Sequence, residues 1–126
     1  MAANGLSIEM LPARHGDALW VEWGPVEERH RMLIDAGPRA AFDDVRQRIE
    51  RLDAGQRRFD LLVVTHIDLD HIGGAIELLQ DDSLGVQIDD VWFNDYHHLS
   101  DEPPTRGARQ GEFLGDLLHE CKLPWN

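Results

Sequence analysis

Leu6-Ser7-Ile8-Glu9-Met10 alternates apolar and polar residues, the period of a strand with one buried face, and Pro12 ends it. Ala18 to Trp23 reads as a second strand closed by Gly24-Pro25, Glu27-Glu28-Arg29 as a turn, and Arg31 to Ile34 as the returning third strand. Short strands joined by short turns predict an antiparallel meander. Phe42, Val45, Ile49 and Leu52 then recur at helical spacing, with Gly55 as the stop. Leu61 to Val64 is apolar at consecutive positions, as expected of a strand buried on both faces. A helix over about Gly74 to Gln80 and a turn over Asp81 to Gly85 precede another strand, Ile88 to Phe93. Asp101 to Gly107, with two prolines, is a loop, and Phe113, Leu114, Leu117, Leu118 and Cys121 mark an amphipathic last helix. No internal repeat or low-complexity segment interrupts the series. Strands and crossing helices together predict α/β or α+β layering in one domain over residues 1–126.

Chemistry concentrates where the Leu61–Val64 strand ends. Thr65-His66-Ile67-Asp68-Leu69-Asp70-His71-Ile72-Gly73-Gly74 places two imidazoles and two carboxylates within six residues. His66 and Asp68, two apart, point to one side of an extended backbone. Asp70 and His71, being adjacent, diverge, and in a curled loop they can reach two different ions. Gly73-Gly74 is expected to turn the chain tightly into the following helix. Neutral imidazole with carboxylate oxygen suits zinc, or manganese or iron where oxygens dominate. A solvated polar loop is the bland alternative, but a strand end at the edge of a core is a place where polar residues need partners. A phosphate cradle formed by Gly73-Gly74 at the helix start is a further alternative, opposed by the charges of Asp68 and Asp70.

Composition narrows the function classes. The formal net charge is −12, which argues against a nucleic-acid surface. All but one of the 12 basic residues are arginines, scattered along the chain, and those on the first helix read as a solvated face. No apolar run is long enough for a membrane span and no signal peptide opens the chain, so no membrane partner is expected and the cytoplasm is the expected compartment. The single Cys121 excludes an internal disulfide and is expected to be a buried, inert thiol. His15, His30 and His119 show no partner pattern and are expected at the surface. Asp17, after Gly16, reads as a turn residue.

At the Thr65–Gly74 segment the chain resembles the metallo-β-lactamase superfamily, whose signature is H-x-H-x-D-H, with Asp68 standing where most members carry the second His. That variant resembles the branch containing the soluble domain of bacterial DNA-uptake channel proteins. His15 to Glu22 followed by Met32-Leu33-Ile34-Asp35-Ala36-Gly37 resembles the same branch's opening hairpin. The resemblance implies half of an αββα sandwich, a mixed, largely antiparallel sheet with flanking helices. It also implies a metal-dependent hydrolase with one or two ions, zinc as the default and Mn2+ or Fe2+ as options, in which a metal-bound hydroxide attacks a carbonyl or phosphoryl centre. His66, Asp68, Asp70 and His71 would be the metal ligands and Asp70 the catalytic residue. Asp35 would support a ligand His through its other ring nitrogen, although an Asp before Ala-Gly can equally cap a turn. Asn94 and His97 (with His98 beside it) would face the pocket from a neighbouring strand end.

The family's remaining ligands come from a second half, and Leu123-Pro124-Trp125-Asn126 reads as mid-domain sequence, so the chain is expected to be the N-terminal part of a larger domain. On that reading Phe113, Leu117 and Trp125 form an uncovered apolar face that drives self-association or awaits the missing half. Two functional classes therefore stand. One is a hydrolase of small-molecule or phosphodiester substrates. The other is a catalytically incomplete fragment or metal-binding and interaction module without turnover.

Overall fold

The computed structural model describes residues 5–93 and 108–125, with the side chains of Leu69, Asp70 and residues 108–112 also outside the description. Three strands, β1 (Ser7–Met10), β2 (Leu19–Trp23) and β3 (His30–Ile34), form the expected antiparallel meander. The chain then crosses through helix α1 (Phe42–Glu50) to β4 (Arg58–Phe59) and β5 (Leu61–Val63). From there it passes through α2 (Leu69–Gln80) to β6 (Gln87–Ile88) and β7 (Val91–Trp92), and ends in α3 (Ala108–Glu120). The main sheet has the order β1-β2-β3-β5-β7, with β3, β5 and β7 parallel. It is a mixed α/β sheet in which the antiparallel ladders are the longer, in keeping with half of a layered sandwich.

The strand expected over Ile88–Phe93 is divided between two sheets, and the strand expected over Leu61–Val64 is preceded by the short strand β4, which the sequence pattern did not mark. Residues 58–63 break at Asp60, whose N–H donates to the Arg31 carbonyl (2.8 Å) while its carboxylate accepts the Arg31 N–H (2.8 Å). Residues 87–92 break at Asp89-Asp90, where Asp90 accepts the N–H of Val91 (2.8 Å). The outer pieces, β4 and β6, pair with each other in a small parallel sheet. His30, expected to be unpartnered, contacts Asp60 through Nδ1 (2.9 Å) and stacks on Trp23. Burial opposes ionisation of Asp60, but the contacts from His30, the Arg31 N–H and Arg58 outweigh it and hold the carboxyl below its usual range.

One core lies between the main sheet and the helices. Trp20, Leu33, Leu62 and Val91 from one sheet face meet Phe42, Val45 and Ile49 of α1, Ile72, Ala75 and Leu78 of α2, and Leu114 and Leu118 of α3. The expectation that Leu61–Val64 is buried on both faces is corrected: Leu62 and Val64 are buried, while Leu61 and Val63 on the other face are only half-buried. The arginines of α1 are not uniformly solvated either. The Arg48 guanidinium lies 4.2 Å from the Trp20 ring centroid and donates to Glu9 (2.8 Å) and Glu22 (3.2 Å), with Arg31 on Trp20 at 5.5 Å. An uncharged ring lies against two cations that share the Glu22 carboxylate.

The expected apolar face of the last helix is only partly open. Phe113 is 46% exposed, but Leu117 is buried and Trp125 is half-buried. Trp125 forms a parallel bridge with Val91 and meets Phe93 edge-on at 6.3 Å. Cys121, expected in the core, is exposed, because α3 ends at Glu120 and the thiol falls in the turn that follows. Among the described residues no helix is long and apolar enough to cross a membrane.

Candidate metal centre

Three segments meet at the C-terminal end of β5: the loop after β1, the turn after β3, and the start of α2. A ladder of backbone hydrogen bonds ties them together, with the Gly37 N–H donating to the Asp17 carbonyl (2.9 Å) and the Gly74 N–H to the Gly37 carbonyl (2.8 Å). Gly37 has φ +68, a conformation that glycine adopts without cost.

The expected course of the loop is corrected. α2 begins at Leu69 rather than near Gly74, with Asp68 as its N-cap residue in extended conformation. The Asp68 carbonyl accepts the N–H groups of His71 (2.9 Å) and Ile72 (3.0 Å). Asp70 and His71 therefore stand in the first helical turn instead of a curling loop. Gly73 and Gly74 lie within the helix, where they permit close approach rather than a turn. A Cβ on Gly74 would come within 1.9 Å of the Ala36 carbonyl oxygen, and one on Gly73 within 2.7 Å of the Arg39 nitrogen. The phosphate-cradle alternative fails at the same point, since the Gly74 N–H is taken and the space beside it is filled by backbone.

Asp35 is the hub of the centre. It is 2% exposed and holds φ +57, a left-handed conformation that aspartate tolerates better than most residues. Its backbone N–H donates to the Val63 carbonyl (2.7 Å), fixing it against the end of β5. One carboxylate oxygen accepts the Thr65 N–H (2.8 Å); the other accepts the Thr65 hydroxyl (2.5 Å) and faces His71 Nδ1 (3.0 Å). An ionised carboxylate only accepts, so the His71 proton sits on Nδ1 and the lone pair is left on Nε2. The ring of His66 lies 4.7 Å from that of His71, centroid to centroid, and His66 and Asp68 are exposed to solvent.

The structure thus brings His66 against His71 and His71 against Asp35, and places Asp68 at the N-cap of α2. The side chain of Asp70, and Asn94, His97 and His98 altogether, lie outside the described residues. Two further residues join the group. Thr65, to which the spacing assigned no role, locks Asp35; its position directly before the first His is the signal that could have marked it. Asp17, read as a turn residue, presents its carboxylate 3.9 Å from His71 Nδ1.

The donor chemistry fits a divalent metal ion in part. One imidazole is held in the ligating tautomer by a buried carboxylate, with a second imidazole alongside, which is how metal-binding histidines are oriented. Among the described residues, however, no group of three or more His, Cys, Asp or Glu side chains converges to hold an ion. The model of one protein family, the metallo-beta-lactamase superfamily, matches residues 11–108. No curated protein matches the chain.

Proposed function

The chain belongs to the metallo-beta-lactamase superfamily, and from that membership we propose that it is a metal-dependent hydrolase acting on a carbonyl or phosphoryl centre of a small-molecule or phosphodiester substrate. The observation that carries the proposal is the Asp35–His71 contact, which frees Nε2 of His71 beside His66 at a strand end. Superfamily members generally bind metal ions such as zinc, and His66, Asp68, Asp70 and His71 are the residues proposed to hold one or two ions here. An ion so held supplies Lewis-acid polarisation of the substrate oxygen and lowers the pKa of water toward neutrality. Zinc suits the two imidazoles, while the carboxylate of Asp68 in place of a third imidazole moves the set toward Mn2+ or Fe2+. Asp35 and Thr65 keep His71 oriented. Asp70 is the proposed catalytic carboxylate, accepting a proton from the attacking water through its Oδ atoms.

A second reading is a metal-binding or interaction module without turnover, in which His71, oriented by Asp35, and the neighbouring His66 take up an ion but no substrate is turned over. Assays with a chromogenic phosphodiester and a chromogenic β-lactam, with zinc or manganese added, separate the two. The hydrolase reading expects metal-dependent turnover that falls about 10²–10⁴-fold in Asp70→Ala and is likewise lost in His71→Ala. Metal uptake with no turnover on any tested ester, lactam or phosphodiester would favour the module. Turnover indifferent to chelator and to both substitutions would refute the proposed site.

A further inference from the structure

The loop between β1 and β2 is tied down along its length. The Leu11 N–H donates to the Ala18 carbonyl (2.9 Å) and the Gly16 N–H to the Ala13 carbonyl (2.9 Å). Leu11 and Ala13 are buried, and a Cβ on Gly37 would come within 3.1 Å of the Ala13 Cβ. The Asp17 carbonyl accepts the Gly37 N–H (2.9 Å), which fixes the Asp17 backbone to the turn that carries Asp35. Its side chain is placed differently. The carboxylate is 65% exposed and makes no hydrogen bond among the described residues; the group it faces is His71 Nδ1, at 3.9 Å. Two carboxylates therefore stand within reach of one ring nitrogen, Asp35 at 3.0 Å and Asp17 outside it.

We propose that Asp17 is a second positioning carboxylate for His71, acting on the same ring nitrogen as Asp35, an inference that rests on the metal-binding reading of this site. Asp35 is shared among several donors. The oxygen that faces His71 (3.0 Å) also accepts the Thr65 hydroxyl, and the hydroxyl contact is the shorter at 2.5 Å. The imidazole thus has no oxygen to itself. A further negative charge near the same nitrogen favours the proton on Nδ1 over Nε2 and keeps the Nε2 lone pair available. Electron density drawn from the ring at Nε2 makes the Nδ1–H a stronger donor, so both carboxylates raise the affinity for a cation there. Two carboxylates repel each other, and Asp17 has water on most of its surface to turn toward. The shared proton is what favours the position it holds. Asp35, buried, acts through a hydrogen bond; Asp17, exposed, acts through a field that salt screens.

Two measurements test this, with circular dichroism showing the fold retained in each variant. The first needs no metal: nitrogen NMR of the neutral imidazole reports which ring nitrogen carries the proton. His71 should be protonated on Nδ1 in the unaltered chain, and to a reduced extent in Asp35→Asn. Combining Asp17→Asn with Asp35→Asn should return the ring to the mixture of a free imidazole. The second is zinc titration. Asp17→Asn should weaken binding about threefold at low ionic strength, and by a factor near one in ~1 M salt, where the Debye length is about 3 Å. Asp17→Glu, which keeps the charge, should stay within about twofold of the unaltered chain. In the Asp35→Asn background the loss from Asp17→Asn should grow to at least about tenfold, since the two groups act on one nitrogen. A combined variant with the same tautomer as Asp35→Asn alone, or an Asp17→Asn effect indifferent to salt and to the residue at position 35, would overturn the proposal. A chain that takes up no zinc would refute the metal-binding reading instead, and the tautomer in the metal-free variants would still decide the role of Asp17.

Discussion

Gly74→Ala is expected to destabilise the protein by about 3 kcal/mol or more, at the upper end of what overpacking costs. Helix propensity alone argues the other way, since alanine inside a helix is favoured over glycine by about 1 kcal/mol. Sterics decide the sign. The added Cβ would sit 1.9 Å from the Ala36 carbonyl oxygen and 2.6 Å from its carbon, both backbone atoms that no rotamer change can move aside. Relief requires α2 to retreat from the turn after β3, which breaks the Gly74 to Gly37 hydrogen bond and pulls His71 away from Asp35. Gly55→Ala is the matched control: nothing lies within 4 Å of its added Cβ, and it should be neutral or stabilising by up to about 1 kcal/mol. Urea denaturation of the two variants measures both effects. A Gly74→Ala protein within about 1 kcal/mol of the parent would show that α2 does not pack on this turn as described.

Asp35→Asn should cost about 2–3 kcal/mol of stability and lower metal affinity about 10–100-fold. Asparagine matches aspartate in size and tolerates the φ of +57, so backbone strain does not confound the comparison. What changes is one acceptor oxygen. Thr65 N–H, Thr65 hydroxyl and His71 Nδ1 all face the carboxylate, and an amide group must turn its own donor toward one of them. Either Thr65 loses its partner or the His71 tautomer is no longer fixed. Asp35→Ala should be worse, because it leaves every donor unpaired and places a β-carbon without polar compensation in the left-handed region. Equilibrium unfolding combined with zinc titration reads both consequences. Unchanged stability and unchanged affinity in Asp35→Asn would remove the carboxylate from the account of the centre.

The meander and the first crossover helix were legible because each rests on local periodicity: single alternation in β1, and the Phe42, Val45, Ile49 spacing in α1. The break at Asp89-Asp90 was not, because Ile88 to Phe93 has the same composition whether it serves one sheet or two, and the Arg58–Phe59 strand was missed because two residues carry no period. Gly73-Gly74 was misread because glycine serves two purposes. It permits a turn and it permits close contact, and only the Ala36 carbonyl lying against the helix tells them apart. The histidines and carboxylates of the candidate centre stand out in sequence because they are crowded together. The contacts that orient them do not: Asp35 is 30 residues from Thr65 and 36 from His71, beyond the reach of any local pattern. The same holds for Trp20 and Arg48, a strand residue and a cation of a helix that it meets only in the folded chain.

Zinc titration of the metal-free chain, followed calorimetrically alongside His66→Ala, His71→Ala and the double variant, decides whether the two imidazoles hold a metal ion. Uptake of about one equivalent or more by the unaltered protein is expected, with imidazole supplying part of the ligand set. Uptake should be weakened in each single variant and abolished in the double. Uptake below about a tenth of an equivalent, or binding that survives loss of both imidazoles, would contradict a metal ion held by the pair.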